Sequence, residues 1–375
     1  MSGQLARVRC EAPITSVEAT AYAIPTDRPE SDGTYQWDKT VLVLVEAQAG
    51  GERGLGYTYA DASTATLIRD KLNGIVAGID AFRVPEAWHA MVHAIRNLGR
   101  PGIAAMAISA VDNALWDLKA RLLGLPLVLL LGAARDAVPV YGSGGFTSYS
   151  DDELRRQLAG WVELGVRQVK MKIGRDAAAD RRRVTAARQA IGDAPELYVD
   201  ANGAYSRKQA LAQAEAFVDE GVSWFEEPVS SDDLEGLRLL RGRAPAGMDI
   251  AAGEYGYDLV YFQRMLSAGA VDVLQIDATR AGGITGFLQA AALAAAFQLD
   301  VSAHCAPLLH AHPCCALSNI RPLEYFHDHV RIEHLLFDGA LSPAAGQLCP
   351  DLTRPGTGVE FKHADAKKFA IGGVR

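Results

Sequence analysis

Four short apolar segments that each end in a charged side chain place the strongest constraint on the fold of this chain. The segments lie between residues 169 and 254 and are rich in Val, Ile, Phe and Tyr. Their charged positions, Lys172, Asp200, Glu226 and Glu254, follow one another at intervals of 28, 26 and 28 residues. Each interval is long enough for one helix, and parallel strands need such a crossover between them. The spacing therefore predicts repeated strand–helix units around a parallel sheet.

Three of these charged positions are carboxylates, and together they predict a metal site. Asp200, Glu226 and Glu254 end successive strands, so they would meet at one edge of the sheet. Like charges at short distance repel and raise one another's pKa. A divalent cation would remove this conflict, and an all-oxygen ligand set favours Mg²⁺ or Mn²⁺ over zinc.

Similar repeats continue on both sides of this stretch. From Val138 onwards eight candidate strands alternate with helical segments: VPVYGS, VRQVKMKI, LYVDA, SWFEEP, DIAAGE, DVLQIDA, LDVSAH and LEYF. Eight repeats predict an α/β fold of the closed (β/α)₈-barrel type, with the active site at the carboxyl ends of the strands. A doubly wound open sheet is the alternative. An open sheet binds its ligand at one switch point in the strand order. It is disfavoured here because candidate reactive residues end more strands than can meet at one such point.

The first third of the chain has a different pattern. Residues 16–60 alternate like antiparallel strands, and the apolar period then changes to that of helices, predicted at 63–77, 85–95 and 102–123. A chain of 375 residues is too long for one ordinary core. We predict an α+β domain over residues 1–132, the barrel over 133–347, and a C-terminal segment, 348–375, that returns to the first domain.

A polar segment inside the first domain predicts a lid. Residues 25–38 contain two prolines and a glycine, and loops of this length in compact domains often cover active sites. An ordinary exposed hairpin loop is the alternative. The side chains available for substrate contacts in this segment are Asp27, Arg28, Asp32, Tyr35 and Trp37.

The last three strands carry a second set of reactive groups. Asp277 and His304 end neighbouring strands, where the carboxylate can fix the His tautomer and favour the imidazolium. Lys172 and His304 would face each other across the barrel mouth, and Glu324 on the last strand would lie at the same rim. Two bases on opposite sides of a substrate suit removal of a proton next to a carboxylate. Lys172 must be neutral to act, and we expect neighbouring positive charge to depress its pKa.

Composition disfavours several other classes of protein. The net charge of −8 argues against nucleic acid as a partner, and no apolar stretch of about 18 residues could span a membrane. The N-terminus lacks the apolar core of a signal peptide, and five irregularly spaced cysteines suit a reducing compartment, so we expect a cytoplasmic location. The cysteines near His304 fit no zinc-binding spacing.

The motifs taken together resemble the enolase superfamily, and within it the mandelate racemase subgroup. KMK, VDAN, FEEP, AAGE, IDATRAGG, SAH and LEY occur in the order of that family, after a helix AISAVDNALWDLKARLLGLPL. The resemblance implies a modified barrel with an N-terminal α+β capping domain that the C-terminal segment completes. It also implies Mg²⁺ as the cofactor and a Lys or His base, as is established for this superfamily.

The resemblance further implies a role for each matching residue. Asp200, Glu226 and Glu254 would bind Mg²⁺ (or Mn²⁺), with Glu227 outside the ligand set. Lys172 would be one base, His304 with Asp277 would be the other, and Glu324 would hydrogen-bond the substrate carboxylate. Lys170 would help to hold the substrate carboxylate. The other residues predicted to bind substrate are Asn202 and, from the lid, Arg28 and Trp37.

We therefore predict a lyase that dehydrates a small sugar acid to a 2-keto-3-deoxy acid, in a homo-oligomer. Dehydration is preferred because dehydratases populate most of the subgroup and because the lid is polar enough to meet several hydroxyls. Racemisation or epimerisation of a 2-hydroxy acid by the same two bases is the alternative. A different metal-dependent barrel hydrolase is disfavoured because a Lys-x-Lys motif lies opposite a His–Asp pair. A non-catalytic homologue is disfavoured because no member of the expected ligand and base set is missing.

Overall fold

The computed structural model describes residues 11–372, which begin with a three-stranded antiparallel sheet and its helices. The helices lie within one residue of the predicted ranges, although the first is interrupted by a π-helical turn, Ile68–Leu72. The elements in order are β1 (Ile14–Ser31), β2 (Gln36–Ala49), β3 (Glu52–Tyr59), α1 (Ser63–Leu67), α2 (Asn73–Val76), α3 (Val84–Ala94), α4 (Ile103–Leu122) and α5 (Leu127–Leu131).

The second part is a nearly closed parallel barrel built from the eight predicted strands. Its strands are β4 (Val138–Gly144), β5 (Gln168–Lys172), β6 (Glu196–Asp200), β7 (Val222–Glu226), β8 (Asp249–Ala252), β9 (Val273–Ile276), β10 (Asp300–Ala303) and β11 (Leu323–Phe326). The sheet order is β10-β9-β8-β7-β6-β5-β4-β11, and a parallel bridge from Val301 to Ile320 brings its two ends together. The open-sheet alternative is therefore wrong.

Helices alternate with the barrel strands and cover their outer faces. They are α6 (Asp151–Glu163), α7 (Ala177–Ile191), α8 (Arg207–Phe217), α9 (Leu234–Arg243), α10 (Leu259–Ser267), α11 (Gly283–Ala296), α12 (Pro307–Cys315) and α13 (His327–Leu336). The chain ends with β12 (Phe337–Asp338), β13 (Gln347–Leu348), β14 (Glu360–Phe361), α14 (His363–Ala366) and a 3₁₀ turn, Lys367–Phe369. No helix within residues 11–372 has the length and apolar character needed to cross a membrane.

The two-residue period of the strands decides which side chains enter the barrel. On β5, Val169 and Met171 pack in the main apolar core, so Lys170 and Lys172 point to the opposite side of the strand, the barrel interior. Lys170 is in register with Tyr198, whose ring stacks on Trp224 at a centroid distance of 5.1 Å. This aromatic layer fills the barrel, and the charged layer lies one step nearer its mouth.

The capping domain is fixed to the barrel through the buried polar face of α4. Asn113 Nδ2 donates to the carbonyl of Ala278 at 3.1 Å, and Asn113 Oδ1 accepts from the Ile284 amide at 3.0 Å. Asp112 accepts from both the amide and the hydroxyl of Thr285. These bonds hold the connection that directly follows Asp277.

The C-terminal segment contacts the capping domain. The Leu127 amide donates to the Gly356 carbonyl at 2.7 Å, and the Thr357 amide donates to Asp117 Oδ1 at 2.6 Å. Near the end of the described chain, the Ile371 amide donates to the Ala21 carbonyl at 2.8 Å. The segment thus completes the capping domain, while the predicted domain limits at 132/133 and 347/348 stay predictions.

The predicted loop at 25–38 is mostly strand, which corrects the sequence interpretation. β1 continues through Ser31, with a register shift between Pro25 and Glu30, and only residues 32–35 form the turn. Asp32 explains the tight turn, because its Oδ1 accepts from the amides of Thr34 and Tyr35 at 2.6 and 2.7 Å. The segment is a bulged hairpin, and we call residues 25–38 the lid hairpin below.

Candidate active site

Three carboxylates meet at the mouth of the barrel as the spacing predicted. Ligand oxygens of Asp200, Glu226 and Glu254 lie within 4.8 Å of one another, and all three residues are buried. Asp200 and Glu226 are register partners at the ends of β6 and β7. Glu254 follows Gly253, whose φ is +135° and where a Cβ would lie 2.2 Å from the Gln275 carbonyl oxygen. Only glycine allows this close turn.

The properties of this cluster fit a hard divalent cation. Within residues 11–372 Glu254 Oε2 accepts no hydrogen bond, and its nearest charged neighbour, His304 Nε2, is 3.3 Å away. Burial and the charge of Asp200 raise the pKa of Glu226 to about 8. A buried carboxylate oxygen without a partner is costly, and oxygen donors are the ligands that Mg²⁺ prefers.

Two lysines from β5 face these carboxylates. Lys172 Nζ is 2.5 Å from Asp200 Oδ2. Lys170 Nζ is 2.7 Å from both oxygens of Glu226 and 2.9 Å from Glu324 Oε1. Lys170, the residue predicted to hold a substrate carboxylate, is therefore fully buried and paired with protein carboxylates. It could reach a substrate once Mg²⁺ neutralises part of that negative charge.

When only the protein's own charged groups act on Lys172, the expectation that its pKa is depressed is wrong. Burial is the largest influence and lowers the pKa of Lys172, and Lys170 lowers it further, but the carboxylates of Asp200, Glu226 and Glu254 together outweigh both and raise it. Loss of the Lys172 proton therefore depends on neutralisation of Asp200, which is one of the predicted Mg²⁺ ligands.

His304 and Asp277 form the predicted pair. His304 Nδ1 is 2.9 Å from Asp277 Oδ2, which leaves Nε2 directed to the other side of the ring. Burial lowers the pKa of His304, but the carboxylates of Glu254 and Asp277 outweigh it and raise the pKa. The arrangement favours an imidazolium that can deliver a proton.

Glu324 lies behind the cavity wall and holds its negative charge. Its Oε1 accepts from Ser143 Oγ at 2.6 Å, and its Oε2 accepts from the Cys305 amide at 3.0 Å. Burial raises its pKa, but Lys170 and His304 outweigh burial and lower it well below the usual range. Glu324 could donate to a substrate carboxylate only after gaining a proton.

A cavity of about 510 Å³ lies between the lid hairpin and the barrel mouth. The predicted site residues that line it are Trp37, Lys172, Asn202, Glu254 and His304. Asn202 has a positive φ of 45°, which Asn tolerates, and its buried Oδ1 has no hydrogen-bond partner within residues 11–372. Asn202 thus offers a free acceptor next to the metal cluster.

Of the two lid-hairpin residues predicted to contact substrate, Trp37 lines the cavity and Arg28 does not. Trp37 packs edge-on against Phe146 at a centroid distance of 5.7 Å, and its Nε1 donates to Glu30 Oε2 at 2.8 Å. Arg28 does not line the cavity but forms an ion pair with Glu153 on α6. Arg28 stands in the part of β1 where the pairing with β2 is irregular, and no sequence pattern revealed that this part faces α6.

Among the cavity residues that the sequence interpretation missed are Arg280, His329 and Cys305. Arg280 Nη1 is 3.2 Å from Glu254 Oε1, and its position inside the IDATRAGG motif was a usable signal. His329 stacks on Tyr59 at 3.5 Å, and burial and His304 lower its pKa to about 3. Cys305 directly follows His304. His329 and Cys305 carried no signal, because their positions depend on how the chain turns after β10 and β11.

Glu30, at the base of the lid hairpin, should make stability depend on pH. Burial and the charge of Asp328 raise its pKa to about 9, whereas an unfolded Glu titrates near 4.3. Between these values the folded state holds a proton that the unfolded state lacks, so stability falls as pH rises through this window. Glu30→Gln should make the unfolding free energy less dependent on pH by about 1.4 kcal/mol per pH unit.

The Glu30 prediction is measured by urea unfolding at several pH values between about 6 and 8, inside the window where one proton is linked. Glu18→Gln, at an exposed position of the same strand, is the matched control and should leave the pH dependence unchanged. An unchanged slope in Glu30→Gln would contradict a protonated Glu30.

The fold and the site define a barrel enzyme with an oxygen-ligand metal centre, and comparison with known proteins gives its family. A model of the mandelate racemase / muconate lactonizing enzyme N-terminal domain matches residues 16–132, and an enolase C-terminal domain-like model matches residues 153–366. The chain belongs to the enolase superfamily, in its mandelate racemase subgroup.

Relatives over most of the chain are sugar-acid enzymes. The chain is 33% identical to a 3,6-anhydro-alpha-L-galactonate cycloisomerase of Streptomyces coelicolor, over 96% of this chain and 100% of that protein. It is 33% identical to an L-talarate/galactarate dehydratase of Salmonella typhimurium, over 83% of this chain and 78% of that protein.

Solved structures agree with this assignment and with the cofactor. A mandelate racemase/muconate lactonizing enzyme-like protein from Rubrobacter xylanophilus is 56% identical with a TM-score of 0.94, over 96% of this chain and 100% of that one. A racemase from Streptomyces coelicolor with bound magnesium is 32% identical with a TM-score of 0.90, over 96% and 100% of the two chains. The cofactor is Mg²⁺, and the oxygen ligands described above fit it.

Proposed function

We propose that this enzyme dehydrates a sugar acid to a 2-keto-3-deoxy acid. The observation that carries the proposal is a cavity in which Lys172 and a His304–Asp277 pair stand beside three clustered carboxylates. Asp200, Glu226 and Glu254 would hold Mg²⁺, which when bound supplies positive charge that stabilises the deprotonated substrate carboxylate. The relatives named as dehydratases support the lyase assignment.

The side chains of this chain would carry two proton transfers. Lys172 Nζ takes the proton from the carbon next to the substrate carboxylate, after its own charge has been lost. The His304 imidazolium, held by Asp277, gives its proton to the 3-hydroxyl, which leaves as water. The resulting enol releases the proton of its 2-hydroxyl and takes up a proton at the third carbon, which gives the 2-keto acid. Lys172 then releases the proton that it took and His304 regains the one that it gave, so that the net change is loss of one water.

The direct test is a panel of sugar acids incubated with the Mg²⁺-loaded enzyme. Mono- and dicarboxylic sugar acids of different stereochemistry would be followed by NMR and by a carbonyl reagent for the 2-keto product. Formation of a 2-keto-3-deoxy acid from any member supports the proposal. Conversion to a stereoisomer without keto product would establish racemisation or epimerisation instead.

Cycloisomerisation is a second candidate, favoured by the relative that the chain matches over that protein's whole length. Lys172 would again remove the proton next to the carboxylate. The leaving group would be a ring ether oxygen rather than a hydroxyl, so the product would keep all its atoms. An anhydro-sugar acid in the same panel distinguishes the two reactions, because its product has an unchanged mass.

Replacing Trp37 should change substrate affinity but not the metal site. Trp37→Ala removes an aromatic wall of the cavity, so KM should rise on the order of 10–200-fold, as expected for about 1–3 kcal/mol of lost apolar contact. Mg²⁺ affinity should stay the same. Trp37→Phe is the matched variant, because it keeps a ring beside Phe146 but loses the hydrogen bond to Glu30. Unchanged KM for every substrate in Trp37→Ala would exclude the lid hairpin from substrate binding.

A further inference from the structure

The residue after His304 places a thiol beside the catalytic imidazole. Cys305 Sγ is 3.2 Å from His304 Nε2 and 3.4 Å from Glu324 Oε2, and these two atoms are 3.8 Å apart. Cys305 and His304 both line the cavity, whereas Glu324 lies behind it. The three atoms form a compact triangle of one sulfur, one nitrogen and one oxygen.

The backbone holds this triangle together by an unusual turn. Cys305 and Ala306 have φ angles of +52° and +40°, a left-handed conformation that residues other than glycine rarely adopt. The turn lets both the amide and the thiol of Cys305 reach Glu324 Oε2. Such backbone conformations persist where the surrounding structure enforces them, and they are concentrated at functional sites.

The dimensions of the triangle fit a tetrahedral zinc ion. Bond lengths of about 2.3 Å to sulfur and about 2.0–2.1 Å to nitrogen or oxygen place tetrahedral ligands about 3.4–3.6 Å apart. The three observed separations differ from this range by a few tenths of an ångström. A thiolate and an imidazole are soft or intermediate ligands that select zinc-like ions over Mg²⁺. The fourth ligand position would face the cavity.

The charge of the surroundings accommodates a second divalent cation. Six carboxyl groups gather at the barrel mouth and are accompanied by three basic side chains, Lys170, Lys172 and Arg280. The six are Asp200, Glu226, Glu227, Glu254, Asp277 and Glu324.

We propose that His304, Cys305 and Glu324 bind Zn²⁺ or a similar thiophilic divalent cation at a site distinct from the Mg²⁺ ligands. When the metal binds, the Cys305 thiol and the Nε2–H of the His304 imidazolium each lose a proton to solvent, so that the thiolate sulfur and the lone pair of Nε2 bind the metal. A His304 nitrogen that binds metal cannot carry a proton to or from substrate. The site therefore makes the enzyme sensitive to inhibition by trace thiophilic metals.

Co²⁺ is the probe that tests this site without a substrate, because cysteinate–Co²⁺ bonds absorb in the near ultraviolet. Adding one equivalent of Co²⁺ to wild-type protein saturated with Mg²⁺ should produce this absorption together with the visible bands of tetrahedral Co²⁺, and Zn²⁺ should remove both. Cys305→Ser should lose the near-ultraviolet band. Cys349→Ser, at an exposed cysteine, is the matched control and should keep it.

Equilibrium dialysis gives the affinity for Zn²⁺ in the same proteins. Wild type should retain one Zn²⁺ per chain with Mg²⁺ present. The affinity of Cys305→Ser for Zn²⁺ should be lower by on the order of 100-fold or more, which is at least the loss seen when a residue that only hydrogen-bonds to a metal ligand is replaced. Absence of the band in wild type, or its persistence in Cys305→Ser, would overturn the proposal.

A further measurement on wild type covers the case in which Cys305→Ser does not fold. Zn²⁺ should slow alkylation of Cys305 by iodoacetamide, measured by peptide mapping, and should leave alkylation of Cys349 unaffected. Equal alkylation of Cys305 with and without Zn²⁺ would refute the site. None of these readouts depends on which reaction the enzyme catalyses.

Discussion

Replacing His304 by Asn is expected to stop dehydration while exchange of the substrate α-proton with solvent continues. This holds for a substrate whose α-proton faces Lys172. In the proposed mechanism His304 would supply the proton for the leaving hydroxyl, and the carboxylates of Glu254 and Asp277 raise its pKa although burial lowers it. The rate of water loss should fall on the order of 10²–10⁴-fold, the usual contribution of a general acid.

Lys172→Ala should give the opposite pattern for the same substrate. Both exchange and dehydration should be lost, because the residue that removes the proton is gone. For a substrate of the opposite configuration at that carbon the roles should be reversed. The expected difference follows from the positions of Lys172 at the end of β5 and His304 directly after β10, from which each would reach one face of the substrate.

Incubation in D₂O with NMR detection of the α-proton measures both reactions at once. Asp277→Asn is the matched variant for the acid role, because it keeps the shape of the Nδ1 partner but removes the charge that favours the imidazolium. If neither His304→Asn nor Lys172→Ala retains exchange with any substrate, the two-base arrangement is wrong. Survival of exchange in both variants with one stereoisomer would require a third base.

Replacing Glu254 by Gln is expected to remove Mg²⁺ binding and with it all turnover. Glu254 Oε2 is buried, accepts no hydrogen bond within residues 11–372 and lies 3.3 Å from His304 Nε2, so this oxygen is available to bind a cation. Wild-type protein should be stabilised by about 2.7 kcal/mol at Mg²⁺ concentrations 100-fold above Kd. For a chain of this size, with an unfolding entropy of about 2.1 cal/mol/K per residue, this corresponds to a rise in Tm of about 3–4 °C. The variant should show no such shift.

Calorimetric titration with Mg²⁺ and thermal unfolding with and without a chelator measure this prediction. Glu235→Gln, whose side chain on α9 is 89% exposed, is the matched control and should behave like wild type. Full activity in chelated wild-type protein would contradict a metal-dependent reaction. Normal Mg²⁺ affinity in Glu254→Gln would remove Glu254 from the ligand set.

The barrel and the residues at its mouth could be predicted from the sequence. The two-residue period of the strands and the near-constant spacing of Lys172, Asp200, Glu226 and Glu254 were sufficient, because parallel strands in register bring their carboxyl ends to one edge. The His304–Asp277 pair followed from the same rule applied to β9 and β10. These features depend on local pattern and on strand order, both of which can be read along the chain.

The tertiary structure alone decided which of these groups meet the substrate cavity and in which charge state. Arg28 binds Glu153, Lys170 is buried among carboxylates, and Lys172 has a raised pKa because Asp200 lies 2.5 Å away. The triangle around Cys305 depends on a left-handed turn that its sequence did not indicate. Contacts between distant segments and the balance of burial against charge are properties of the packed molecule, and a one-dimensional pattern does not contain them.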